Sequence, residues 1–207
     1  MKLIALIGDI VRSREIGNRD EFQIKLENQM CIVNRESQHL LSPYTLTLGD
    51  EFQAVYAKAD KLFNDIWKIM MGLYPEKVRF ALGVGTLTTP VNSKRAIGMD
   101  GPAFHYARMG ITRLKETSYL IKIETEDVPH LDLLNSSLYL TSQTVSGWSL
   151  NRFQVLNGLL SGQSRKKIAD SLGISTVAVY KNIRAGSLDV IIDLSKEISN
   201  ALNEVLG

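Results

Sequence analysis

A chain of 207 residues, 44% hydrophobic and 22% charged, has the composition of an ordinary folded protein and is long enough for one full domain plus a small one. Its single cysteine, Cys31, excludes an intramolecular disulfide and a cysteine-based zinc site, so a reducing, cytoplasmic setting is expected. The apolar run before Gly8 is too short for a signal-peptide core, and no later run approaches the ~20 apolar residues of a membrane span, so no membrane association is expected. The net charge of +2 is unevenly spread. Residues 1–150 hold 17 basic and 17 acidic side chains, whereas 151–186 carry Arg152, Arg165, Lys166, Lys167, Lys181 and Arg184 against Asp170 alone. A basic excess confined to one short segment fits a module that meets phosphates, and equally a solvated basic face.

In chain order, "KLIALIGD" predicts a short buried strand ending at Gly8-Asp9. From Arg19 to Leu41, the spacing of Phe22, Leu26, Met30, Val33 and Leu40 predicts a long amphipathic helix. The period then changes. In "TLTLGDEFQAVYA", Leu46, Leu48, Phe52, Ala54 and Tyr56 alternate with polar neighbours around Gly49-Asp50, a dipeptide suited to a two-residue hairpin loop. A helix is predicted from Ala57 to Tyr74, stopped by Pro75, and a strand over "VRFALGVGTL", where Gly83 and Gly85 leave room for something to approach the backbone. A loop leads to a helix starting near Pro102, then a fifth strand at "SYLIKIE", then mostly helix over 126–146. Strands and helices in this order predict an α+β sandwich, a ferredoxin-like palm over residues 1–147 with helices on one face of a largely antiparallel sheet.

Residues 148–207 read as a small all-α domain. Phe153, Leu156, Leu159 and Leu160 mark a first helix ended by Gly162. Ser164 is placed to cap a second, with Ile168, Ala169 and Leu172 inward, and after Gly173 Ser175 is placed to cap a third. That is the pattern of a helix-turn-helix whose last helix enters the DNA major groove. Arg165, Lys166 and Lys167 would grip phosphates, and Ser175, Thr176, Tyr180, Lys181 and Arg184 would face the groove, with Ala178 small enough to meet a thymine methyl. The competing reading is a trihelical protein-interaction module. In the tail, Leu188, Ile191, Ile198, Leu202 and Val205 form a stripe that either completes this core or pairs with a second copy; a homodimer is expected.

Asp9 and Asp50 carry the chemistry of the first domain. If the hairpin pairs with the first strand, both carboxylates reach one sheet edge and repel, a cost that a divalent cation removes. Mg²⁺ takes one or two carboxylates together with substrate phosphates, and the turn Ile10-Val11-Arg12-Ser13-Arg14 offers backbone N–H groups and two guanidinium groups to a triphosphate. The plainer reading makes Asp50 a turn residue and Asp9 a cap or loop residue.

"GDIVRSR", "LGDEF", "VRFALGVGTL" and "GMDGPAFHYAR" together resemble, in order, blocks of the class III nucleotide cyclase and GGDEF superfamily over roughly residues 1–125. The resemblance implies a nucleotide cyclase-type palm, with Asp9 and Asp50 as metal ligands and the turn after Asp9 holding phosphate. Including the C-terminal extension, the chain resembles the SatD family most closely, and its C-terminal part is similar to the helix-turn-helix of sigma-factor region 4. There are departures. Leu46 stands where purine-selecting cyclases commonly carry Lys. His105 or Phe104 stands where they carry the transition-state Asn, so the usual Asn–Arg pair is absent, although His105 and Arg108 could share a helix face. If the protein is an enzyme, Arg108 and His105 are its catalytic candidates; otherwise Arg108 is a surface cation and His105 a structural polar residue. Glu51 fits support of the turn, or a second metal, better than a base. The leading expectation is a nucleotide-responsive DNA-binding transcriptional regulator that holds a purine nucleoside triphosphate with Mg²⁺. An active nucleotidyl cyclase and a non-catalytic dimerisation scaffold are the alternatives.

Overall fold

Eight residues buried without interruption put the first strand, β1 (Leu3–Ile10), at the centre of a sheet rather than at its edge. In the computed structural model, which describes residues 1–47 and 49–206, β1 lies between β3 (Glu51–Tyr56) and β4 (Val78–Gly85), antiparallel to both. The five-stranded sheet has the order β2-β3-β1-β4-β5, with β2 at Leu40–Leu46 and β5 at Ile121–Glu124, the latter parallel to β4. Helix α1 (Arg19–Glu36) joins β1 to β2, and α2 (Leu62–Leu73) joins β3 to β4. Four strands and two helices so connected form a βαββαβ unit.

Both faces of the sheet are covered, where one was expected. On one face Ile4, Leu6, Ile10, Phe52, Tyr56 and Phe80 pack against α1 and α2. On the other, Leu3, Ala5, Ile7, Val55 and Ala81 pack beneath α3 (Pro102–Lys115). Small residues admit this helix. A Cβ on Gly83 would lie 2.0 Å from the Ala103 carbonyl oxygen and 2.4 Å from the Ala107 nitrogen, so what approaches the glycines of β4 is the backbone of α3.

Several boundaries differ from expectation, among them the start of α2, which lies at Leu62 rather than Ala57. α1 stops at Glu36, because Leu40 is taken into the sheet opposite Tyr56 and His39 adopts a left-handed backbone at the entry to β2. The hairpin connection spans 47–50 rather than two residues, with the Thr47 amide donating to the Glu51 carbonyl at 2.9 Å. Leu48, expected to continue the alternation, lies outside the described residues, as does Gly207.

The C-terminal helices are α4 (Leu131–Val145), α5 (Leu150–Leu160), α6 (Arg165–Leu172), α7 (Thr176–Gly186) and α8 (Leu188–Leu206). The expected boundary at 147/148 falls in the short α4–α5 connection, where Trp148 is buried against Phe153 with ring centroids 5.1 Å apart. α5 and α8 pack on α2, and one apolar core runs through the whole assembly. Polar contacts pin α8 to the sheet-bearing part of the chain: Trp67 Nε1 donates to Ser195 Oγ at 3.3 Å, and Asn203 Oδ1 accepts from the Ala59 amide at 2.7 Å. Leu188, Ile191, Ile198 and Leu202 are buried within the chain, so the tail's stripe completes the core. No helix among the described residues is long and apolar enough to cross a membrane.

Candidate functional site

Strand register builds the first site. Asp9 lies directly opposite Glu51 on β3 and Arg79 on β4, so these three residues form a row on the sheet face covered by α3. Asp9 and Glu51 are buried, and a buried carboxylate needs charge and hydrogen bonds to remain ionised. α3 supplies them. Arg108 binds Glu51 with two hydrogen bonds of 2.6 and 2.8 Å; Lys115, two turns further on, reaches Asp9 Oδ1 at 2.8 Å. Arg79 holds the other Asp9 oxygen at 3.0 Å. A third helix cation, Arg113, grips Glu124 of β5 at 2.7 Å, so α3 is fastened to the sheet by ion pairs along its length. The hydrogen bonds to Glu51 raise the Arg108 pKa above its ordinary value, against partial desolvation.

Beyond Asp9 the chain turns sharply. Arg12 has φ 54°, a left-handed conformation, and Ser13–Glu15 form one 3₁₀ turn. Ser13 Oγ donates to Asp50 Oδ2, and the Ile10 amide donates to the Asp50 carbonyl at 3.3 Å, which ties this turn to the hairpin tip. Between them opens a cleft of about 750 Å³. Arg12, Arg14, Arg19, Arg79 and Lys115 line it against Asp9, Glu15, Asp50 and Glu51. Since Glu51 is already matched by Arg108, cations prevail. A second cleft of about 680 Å³ shares Arg12, Glu15 and Arg79 and continues towards Pro75 and Tyr119.

Of the residues expected here, Asp9, Ile10, Arg12, Ser13, Arg14 and Asp50 all line the first cleft. Val11 does not line it, and its amide is spent on the Lys77 carbonyl at 2.8 Å. Arg108 touches the cleft only through Glu51. His105 pairs with Asp100 at 2.9 Å, ten residues from Lys115 and so about 15 Å away along the helix axis. It is not brought to the cleft. Lys115 carried no sequence signal, and Arg79 lay in the block VRFALGVGTL without being singled out, because the value of both comes from register and from a helix crossing the sheet.

As arranged, these residues do not fit the Mg²⁺ site expected from Asp9 and Asp50. Both Asp9 oxygens already hold protein cations, and Asp50 Oδ2 holds Ser13.

The second site is the outer surface of α6 and α7. Ser164 Oγ caps α6 by accepting from the Lys167 amide at 3.2 Å, and Ser175 Oγ caps α7 by accepting from Ala178 at 3.1 Å. Gly173, with φ 63°, closes α6 and starts the three-residue turn. Arg165, Lys166, Lys167, Ser175, Thr176, Tyr180, Lys181 and Arg184 are all exposed, and the Arg165 guanidinium sits 5.2 Å from the Tyr180 ring centre. Val177, also exposed, was not singled out from sequence, and with Tyr180, Lys181 and Arg184 it completes one outward stripe at helical spacing.

The chain belongs to the SatD family, whose family model matches residues 3–202. No curated protein matches the sequence. Two solved structures of a bacterial light-regulated adenylyl cyclase are similar to parts of it, each at 11% identity. One covers 64% of this chain and 44% of its own length at a TM-score of 0.38; the other covers 59% and 43% at 0.35. This chain therefore spans less than half of either.

Proposed function

We propose that this protein is a cytoplasmic DNA-binding transcriptional regulator whose palm-like N-terminal part takes a phosphorylated ligand of the nucleotide class. The observation that carries the reading is the α6–α7 pair: two capped helices about a left-handed Gly173, with every basic residue of the segment from Arg165 to Arg184 turned to solvent. In this reading α6 and α7 form a helix-turn-helix. Arg165, Lys166 and Lys167 hold backbone phosphates, while Thr176, Tyr180, Lys181 and Arg184 meet the groove. Ser175 contributes chiefly as the cap, since its oxygen already accepts the Ala178 amide.

The positive cleft beside the Arg12–Glu15 turn supports the ligand half. β3 begins in that cleft at Glu51, and just beyond its end Ala59 and Asp60 bond to Asn203 of α8, so ligand site and DNA surface share a framework. A ligand acts through it only if it favours one arrangement over another. Two copies acting as a homodimer would read paired half-sites. Nucleotide cyclisation is not part of the proposal: Arg108, its best candidate, is committed to Glu51.

The test is binding of the full chain to a mixed-sequence DNA duplex, followed by fluorescence anisotropy at several salt concentrations. Affinity falls steeply with salt; Lys166→Ala weakens binding and lowers the log–log salt slope by about 1, and Lys181→Ala weakens binding. Association that ignores salt, or survives both substitutions, rejects DNA and leaves a protein partner.

A further inference from the structure

We infer that the cleft beside β1 holds the phosphates of its ligand directly on protein cations, with no divalent ion, and that Lys115 and Arg79 stand where a metal would otherwise balance Asp9. This rests on the reading above that the cleft takes a phosphorylated ligand.

Asp9 is 5% exposed, on the middle strand of the sheet and at the floor of the cleft. A buried carboxylate there requires positive charge from some source. Lys115 provides it at 2.8 Å on Oδ1, and Arg79 at 3.0 Å on Oδ2. A divalent ion ligated by either oxygen would sit beside an ammonium or guanidinium already in contact with it, like charge against like charge. Lys115 is the last residue of α3, where the helix dipole favours a cation and holds this charge in place. The hairpin acid is held on one side, by a neutral hydroxyl. Asp50 accepts the Ser13 hydroxyl, and that bond fixes the turn carrying Arg12 and Arg14 at the cleft wall.

The same cations keep capacity for a ligand. An ammonium has three donors, and Lys115 spends one on Asp9; its side chain is half-exposed and lines the cleft. Arg79 has five donors, of which Nη1 serves Asp9. Phosphate oxygens reaching Lys115 and Arg79 would add to a network already in place and meet Arg12, Arg14 and Arg19 at the rim. Mg²⁺ bound to a nucleotide cancels the charge that these residues recognise. It competes with the protein for the phosphates instead of bridging to it.

Calorimetric titration of the full chain with ATP and with inorganic tripolyphosphate, in EDTA and again in excess Mg²⁺, decides the matter. Binding persists in EDTA and is no tighter in Mg²⁺. Lys115→Met, which keeps the apolar stem, weakens the EDTA titration roughly tenfold, as expected for one charge-assisted hydrogen bond. Bound Mn²⁺ measured by electron paramagnetic resonance gives an independent readout without nucleotide. The wild type holds none, whereas Lys115→Met, which frees Asp9 Oδ1 while Arg79 keeps Oδ2, takes up more than the wild type. Binding that appears only with Mg²⁺, or a wild type that takes up Mn²⁺ alone, overturns the inference but leaves the cleft's ligand class standing. Absence of binding to either phosphate compound under both conditions removes the ligand reading itself.

Discussion

Asp65, on the buried side of α2, receives the Ser37 hydroxyl and, at 2.6 Å, the Tyr56 hydroxyl, while the Tyr44 oxygen lies 2.8 Å beyond. Burial raises the Asp65 pKa, opposed by these two hydroxyl bonds, and burial likewise holds both tyrosines protonated. A carboxyl whose folded pKa lies above its unfolded value binds more protons in the native state. Its stabilising contribution is complete below about pH 4 and is lost as pH rises through the raised value. Chemical denaturation of wild type and Asp65→Asn across this range should therefore show the balance moving towards the wild type as pH falls; a constant difference would exclude Asp65 as the titrating group. Asp65→Ala leaves two hydroxyls without an acceptor and should cost about 1–3 kcal/mol at any pH. None of this was visible in the chain, where Ser37, Tyr44, Tyr56 and Asp65 belong to four separate elements. Asp9 and Asp50 were legible, because acids are rare in strand-forming runs. Their partners were not, since Arg79 and Lys115 arrive from elements far along the chain.

α3 shows how an element's position is decided by what it lacks. Its seat on β4 depends on the absence of a side chain at Gly83, and Gly110 of the helix itself comes close to Ala81. Gly83→Ala should force α3 away from the sheet, disturbing the Lys115–Asp9 and Arg108–Glu51 pairs together. A loss of about 3 kcal/mol in urea denaturation is expected, with weaker phosphate binding as the accompanying sign. An unchanged midpoint would mean that α3 is less tightly seated than its contacts indicate. Gly173 works by conformation instead, and that kind of glycine is readable in sequence because it follows an apolar-periodic run and precedes a capping Ser. The same rules placed Ser164, Ser175 and Gly162 correctly. They overran at the end of α1, where pairing of Leu40 with Tyr56 in the sheet outweighs its helical spacing.

At the scale of the molecule, α2 is the shared wall. Its one side packs on the sheet, while α5 and α8 pack on it from outside, so the apolar core continues from β1 to Leu202. The chain should then unfold in a single calorimetric transition, and Leu202→Ala, at a fully buried position, should lower stability by about 2–5 kcal/mol for the whole protein. Two resolved transitions, with only one shifted by the substitution, would mean that the C-terminal helices fold on their own. Local patterning was enough to determine the alternation of strands and helices, the acids at the end of β1 and the hairpin tip, and the capped helix pair that bears the basic surface. These depend on spacing, on turn residues and on neighbours a few positions away, all of which are written in one dimension. What only the tertiary structure decided is which charges meet, which face of the sheet α3 covers, and that the tail is spent inside the chain, because each depends on strand register and on helices crossing at distances the linear order does not contain.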